Sequence, residues 1–313
     1  MMEKRFLTYE QQIEKLQNEK KLTIVNKSFA MDTLKHISYY ALIGGYKNLF
    51  KHKPSGKYLY GVTFEEIVAF YYFDEELRTL FLKYILHVER HLKSLISYHF
   101  CEKFGENQAE YLKIDNFNSA KKNRKAVVRL IASLDKVASL PTHYNYIAHY
   151  VNSYHNVPLW VVMNAVTFGQ LSAFYQYMPN GLQVKVSKHF PNCTEKQLHQ
   201  FITVVAKCRN VCAHGERLYD FHTSDTIPDT LLHKKMKIPM KKGSYLLGKH
   251  DLFAIVISLR YLIGDKEFKL FKIALTRLIH QVLKQCPHIT QTQLLIEMGF
   301  PENWEKICRY RVC

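Results

Sequence analysis

The longest helical pattern in the chain is TFEEIVAFYYFDEELRTLFLKYILHVERHLKSLISYHFCEKFG, residues 63–105. Its apolar residues recur at spacings of three and four, which is the pattern of an amphipathic helix. Thr63 and Glu66 have the spacing of a capping box, in which two side chains satisfy the free amide groups of a helix start. Gly105 follows the last apolar position, and glycine often ends a helix. The stretch therefore predicts one or two long helices.

The rest of the chain shows mostly the same spacing. Further helices are predicted over residues 7–22, 28–42, 119–139, 158–178, 194–215, 249–264 and 267–286. No run of alternating apolar and polar residues is long enough to predict a sheet. The predicted fold class is therefore all-α.

We interpret the 313 residues as a single all-α domain. Residues 1–60 would form an N-terminal helical extension, residues 61–286 the helical core and residues 287–313 a C-terminal helical tail. Residues 47–61 and 219–249 lack the helical spacing. The second of these segments is long for a compact domain, and loops of that length are usually functional or disordered.

The chain is strongly basic, with 44 lysine and arginine residues against 27 aspartate and glutamate residues and a net charge of +17. A surplus of this size favours an acidic partner, either nucleic acid or an anionic membrane surface. Each of two basic clusters is either a contact for RNA phosphates or a solvated surface. The first comprises Lys121, Lys122, Arg124, Lys125 and Arg129, and the second Lys234, Lys235, Lys237, Lys241 and Lys242.

The cysteines and the apolar runs indicate the cellular compartment of the protein. Seven scattered cysteines do not form the pattern of a disulfide framework, and a reducing compartment fits them. The N-terminus has no apolar segment typical of a signal peptide, and no apolar run is long enough to span a membrane. The sequence predicts a cytoplasmic protein without a membrane partner.

Unusual polar residues lie at the end of the helix predicted over residues 194–215. A narrow polar stripe, spaced by four and three residues, comprises Thr203, Lys207, Asn210, His214 and Arg217. Arg209 lies about 100° from this stripe, at the edge of a broad apolar arc. Such spacing is typical of a helix seam. We therefore expect the stripe to face its own copy across a two-fold axis, and water is the alternative.

Arg209, Asn210 and His214 together suit the cleavage of RNA without a metal ion. Histidine transfers protons near neutral pH, and arginine holds phosphate oxygens through paired hydrogen bonds. Asparagine can orient the histidine or donate to a phosphate. One histidine cannot easily be acid and base at once, so a second copy in a homodimer would supply the other.

The same residues carry a resemblance to a known family. The sequence RNVCAH, residues 209–214, fits the R-x4-H motif of the HEPN (higher eukaryotes and prokaryotes nucleotide-binding) superfamily. The longer CRNVCAHGERLYDF resembles the abortive-infection Abi-D/Abi-F family within it. Four other segments resemble this family in the expected order: YYALIGGYKNLFK, FYYFDEELRTLFLKYILHVERHLKS, VPLWVVMNAVTFGQLSAFY and MGFPENWEKI. Gly215 departs from the family, which often has a polar residue after the motif histidine.

The resemblance implies a HEPN-like helical bundle and a homodimer whose paired motifs form one composite site. It implies a metal-independent endoribonuclease, acting without a cofactor as a growth-arresting toxin in phage defence. By position, Arg209, Asn210 and His214 would be catalytic, and Lys207 and Arg217 beside them would bind RNA. Some similar proteins are associated with a small structured RNA, so RNA is expected both as substrate and as regulator.

A non-catalytic RNA-binding regulatory protein with the same fold is the main alternative. A transcription regulator is a weaker one, because no convincing helix-turn-helix pattern accompanies the charge. Intact Arg209 and His214 favour the enzyme over both.

Two groups of residues have a spacing that metal ions could use. His87 and His91 are spaced as in zinc-binding helices, but no glutamate follows His87 directly. Cys208 and Cys212 near His214 lie in the apolar arc, where buried thiols are common. We therefore expect no metal ion. Glu89 or Arg90, between the two histidines, is instead a candidate support for the catalytic residues.

Overall fold

A computed structural model describes residues 5–52, 54–139, 144–310 and 312, and its fold is all-α, as the sequence predicts. The α-helices of the described residues are α1 (Tyr9–Glu14), α2 (Lys27–His36), α3 (Phe64–Phe104), α4 (Gln108–Leu112), α5 (Arg124–Ser139), α6 (Asn145–Tyr154), α7 (Leu159–Val162), α8 (Phe168–Tyr177), α9 (Asn180–Ser187), α10 (Glu195–His214), α11 (Leu231–Lys235), α12 (Leu252–Leu262), α13 (Asp265–Gln285) and α14 (Gln291–Glu297). Turns of π-helix cover Lys15–Glu19 and Tyr40–Gly44, and 3-10 helices cover Asn48–Phe50, Ile114–Asn116 and Trp304–Arg309.

Helix α3 is the central element of the fold. Residues 63–105 form one helix, because the capping box of Thr63 and Glu66 starts it and no break follows before Gly105. With 41 residues it is about 60 Å long. Helices α7, α8, α9, α10, α12 and α13 pack against it. Gly105 ends the helix with φ +90°, a conformation that side chains disfavour.

Helix α10 carries the R-x4-H motif and packs against α3, α8, α9 and α12. The predicted capping box of Thr194 and Gln197 starts it. The predicted apolar arc is buried at all its positions except Val211, which is half-buried. Gly215, with φ +70°, ends the helix, and the amide of Glu216 donates to the carbonyl of Val211 at 3.0 Å. The motif therefore occupies the last two turns.

The prediction of a single helix over residues 158–178 is wrong, because two helices, α7 and α8, form in this segment. Thr167 and Gln170 form a capping box that starts a new helix inside the apolar pattern. Pro158 precedes the first helix as its N-cap, with ψ 153°, rather than lying in the first turn. Periodicity alone does not show this break, because α7 and α8 both bury apolar residues.

The segment of residues 219–249 contains local structure that the sequence does not predict. Helix α11 is followed by a two-stranded antiparallel sheet, β1 (Met240–Lys241) and β2 (Ser244–Tyr245). The turn between the strands has positive φ at Lys242 and Gly243, as a two-residue hairpin turn requires. Strands of two residues are too short to show an alternating pattern.

The buried apolar residues form one cluster whose members extend from Ile13 to Val312. The N-terminal extension joins this core directly, since Thr23 accepts a hydrogen bond from the Phe64 amide at 2.8 Å. One helix of the fold, α6, is not predicted from the sequence. Over the described ranges, no helix combines the length and the apolar character that crossing a bilayer requires.

Candidate active site

Asn210 and His214 lie one turn apart at the exposed end of α10. Among the residues that the structure describes, neither side chain has a hydrogen-bond or ion-pair partner. Polar side chains that the protein itself does not engage remain free to contact a ligand. The two residues are therefore available for the roles that the sequence predicts.

Arg209 is held beside α3 by a buried carboxylate. Its side chain is half-buried, and its Nε lies 3.7 Å from Oε2 of Glu89. The two groups form an ion pair at this distance, which is too long for a hydrogen bond. The other oxygen of Glu89 lies 2.9 Å from the Nζ of Lys93. Glu89, one of the two predicted supports, thus contacts a motif residue directly.

A buried network fixes the chain that follows the motif. Asp74 of α3 is fully buried, and its Oδ1 accepts hydrogen bonds from the backbone amides of Leu218 at 3.1 Å and Tyr219 at 2.7 Å. Its Oδ2 accepts from the Tyr46 hydroxyl at 2.8 Å and pairs with Arg78 at 2.6 Å. The network therefore links the end of α10 to α3 and to the N-terminal extension.

The Asp74 carboxyl group is shielded from water, and its neighbours act on its pKa in opposite directions. Burial raises its pKa, while the charge of Arg78 and the hydrogen bonds from Tyr46, Leu218 and Tyr219 oppose that shift. Arg78 and the two backbone amides can only donate hydrogen bonds, so these contacts favour the ionised carboxylate. Burial is the larger influence, so the pKa of Asp74 stays above its usual value.

The prediction that Arg217 lies on the polar stripe of α10 is wrong, because the helix ends at His214. Its Nη1 donates to the carbonyl of Gly45 at 2.8 Å, and its Nη2 lies 3.4 Å from Oδ2 of Asp220. This arginine therefore belongs to a contact between the segment after α10 and the N-terminal extension. It does not line a helix seam.

Lys207 remains on the stripe, but its charge is paired. Its Nζ forms an ion pair with Asp225 and lies 3.4 Å from the Ser224 hydroxyl. Lys207 and Arg217 thus each have an acidic neighbour in their own chain, which offsets the positive charge near the motif.

Both predicted basic clusters are on the surface, away from the buried core. The first is exposed at the start of α5, and the second is exposed on α11 and the β1–β2 hairpin. Helix α5 packs against α4, α6, α7 and α8. The structure thus places the clusters on elements separate from the motif.

The residues whose spacing could suit a metal ion make contacts within the protein or are buried in its core. His87 pairs through Nδ1 with Glu267 at 3.0 Å. Burial raises the pKa of the Cys208 thiol well above its usual value, and Cys212 is buried on the same face of α10. Within the described part of the chain, no group of three histidine, cysteine or acidic residues is arranged to hold a metal ion.

Sequence reasoning missed the Asp74 network. The sequence does contain a signal for this network. Asp74 shares the apolar stripe of α3 with Phe70, Phe73 and Leu77, and a carboxylate in such a place must find partners. Arg78, one turn later, is the one partner that helical spacing indicates. The other donors come from distant segments.

Comparison with known proteins gives the family. The family model described as Abi-like protein matches residues 32–220, which is more than half of the chain. The chain therefore belongs to the Abi-like protein family. The matched region includes α3, α10 and the Asp74 network, and it ends directly after Tyr219. No curated protein and no solved structure matches the chain.

Proposed function

We propose that this Abi-like protein is a metal-independent endoribonuclease toxin of the HEPN type that acts in abortive infection, a form of phage defence. The family indicates abortive infection. The observation that carries the enzymatic part is the state of the motif, in which Asn210 and His214 are exposed and unengaged by the described residues while Arg209 is anchored beside them.

The chemistry follows from the three side chains. Neutral His214 takes the proton from the 2′-hydroxyl, whose oxygen then bonds to the adjacent phosphorus as the bond to the 5′-oxygen breaks. The leaving 5′-oxygen receives a proton from a second, protonated histidine. Arg209 stabilises the charge on the phosphate oxygens, and Asn210 orients the histidine or the phosphate. The products are a 2′,3′-cyclic phosphate and a 5′-hydroxyl.

The second histidine would come from a second copy of the chain, so the proposed site is composite. Within each copy, the buried Glu89 carboxylate would hold the Arg209 guanidinium beside the other motif residues by charge. The basic clusters on α5 and around the β1–β2 hairpin would contact RNA phosphates without sequence preference. A small structured RNA is proposed as the regulator that restrains the toxin.

The experiment that tests this proposal is a cleavage assay with purified protein and single-stranded RNA in EDTA. We expect cleavage at an unchanged rate, because protons rather than a metal ion activate the reacting oxygens. A matched DNA strand, which lacks the 2′-hydroxyl, should stay intact. Loss of cleavage in EDTA would contradict the mechanism. Tight binding of RNA that is never cut would instead favour the non-catalytic RNA-binding alternative.

A further inference from the structure

A cleft of about 440 Å³ opens beside the end of α10. One wall is the π-helical turn Tyr40–Gly44 with Gly45, and the other is the segment from Gly215 to Asp220. Gly215 directly follows His214, so the cleft begins one residue from the proposed proton-transfer group. Its volume lies within the range of small-ligand sites.

The cleft offers an aromatic face to solvent. The side chain of Tyr40 is 83% exposed, so its ring is open to solvent at the lining of the cleft. The backbone of Gly44 lies beside this ring, since a Cβ at Gly44 would be in ordinary van der Waals contact with the ring carbon Cδ2, at 3.5 Å. Tyr71 of α3 contributes a second, half-buried ring to the lining.

The opposite wall presents a planar cation. Arg217 is held at both of its terminal nitrogens, by the Gly45 carbonyl at 2.8 Å and by Asp220 at 3.4 Å. A Cβ on Gly45 would lie 3.3 Å from the Cδ of Arg217, so glycine allows this close approach. Asp74 fixes the next two backbone amides, and the wall is therefore anchored to the core.

We propose that this cleft binds a nucleobase of the RNA next to the scissile phosphate. The face of the base would stack on the ring of Tyr40, and Arg217 would lie at the edge of the base. This inference rests on the proposed function. Exposed aromatic rings and guanidinium planes are the groups on which single-stranded bases stack, and every base has a face suited to them. Gly45, which the catalytic motif leaves unexplained, allows Arg217 to lie this close to the wall that carries Tyr40.

The test measures the affinity of short RNAs for protein that carries His214→Ala and cannot cut them. Adding Tyr40→Ala should weaken binding by roughly 5- to 150-fold, the range expected for loss of one stacked base. Tyr40→Phe keeps the ring and should bind like the parent. Tyr60→Ala is the matched control, because Tyr60 is fully exposed outside the cleft and its removal should change nothing.

RNAs with one abasic position show whether a particular base uses the cleft. An abasic position next to the mapped cleavage site should weaken binding to the parent as much as Tyr40→Ala does, and the two changes together should cost no more than either alone. Equal affinity of Tyr40→Ala and parent, or additive losses at every position, would overturn the base site. If one abasic position shows this coupling to Tyr40→Ala but the wild type never cleaves the RNA, the base site stands and the proposed function fails.

Discussion

Replacing His214 by alanine is expected to lower the rate of RNA cleavage by about 10²–10⁴-fold, the usual contribution of a general acid or base. The same change should relieve growth arrest in cells that express the protein. The fold should be unaffected, because the His214 side chain is exposed and has no partner among the described residues. The measurements are the cleavage rate of labelled RNA and the thermal unfolding midpoint.

His280→Ala is the matched control for this prediction. His280 is an exposed histidine on α13, where its Nε2 lies 3.6 Å from Glu305. Its removal should leave cleavage at the wild-type rate. Full toxicity of the His214→Ala protein, or the same loss of cleavage in both variants, would contradict the assignment of His214.

Replacing Asp74 by alanine is expected to give the largest loss of stability, about 3–5 kcal/mol in the free energy of unfolding, as for other broken buried ion pairs. The change leaves Arg78 buried without its counter-charge. It also removes the acceptor of the Leu218 and Tyr219 amides and of the Tyr46 hydroxyl. Urea unfolding followed by far-ultraviolet circular dichroism measures the difference.

Asp32→Ala is the control for the stability prediction. Asp32 also pairs with a cation one turn away on a helix, Lys35, but both side chains are more than half exposed. Exposed pairs contribute about 0–1 kcal/mol, so this variant should unfold almost like the wild type. Equal destabilisation by the two changes would show that the Asp74 network does not anchor the segment after the motif.

Sequence predicts the features of this protein that depend on neighbouring residues. The capping boxes of α3 and α10 and the apolar arc of α10 are local patterns, and the structure confirms them. The motif residues Arg209, Asn210 and His214 could likewise be identified from their spacing and types. Their catalytic role is a prediction that the cleavage assays test.

The features that sequence does not predict depend on contacts between distant segments. Asp74 meets amides more than 140 residues later in the chain, and helical periodicity carries no signal for such a contact. Arg217 continues the four-and-three spacing of the stripe, yet Gly215 ends the helix first and directs the arginine to Gly45. The cleft beside the motif exists only because these contacts bring the two segments together.

The composite site can be tested with a mixed dimer of one wild-type and one His214→Ala protomer. Differently tagged chains are co-expressed, isolated through both tags, confirmed as dimers by light scattering and assayed in EDTA. If acid and base come from different protomers, the mixed dimer should cleave RNA at about 1% of the wild-type rate or less. Cleavage at half the wild-type rate, or an active wild-type monomer, would contradict a site shared between two chains.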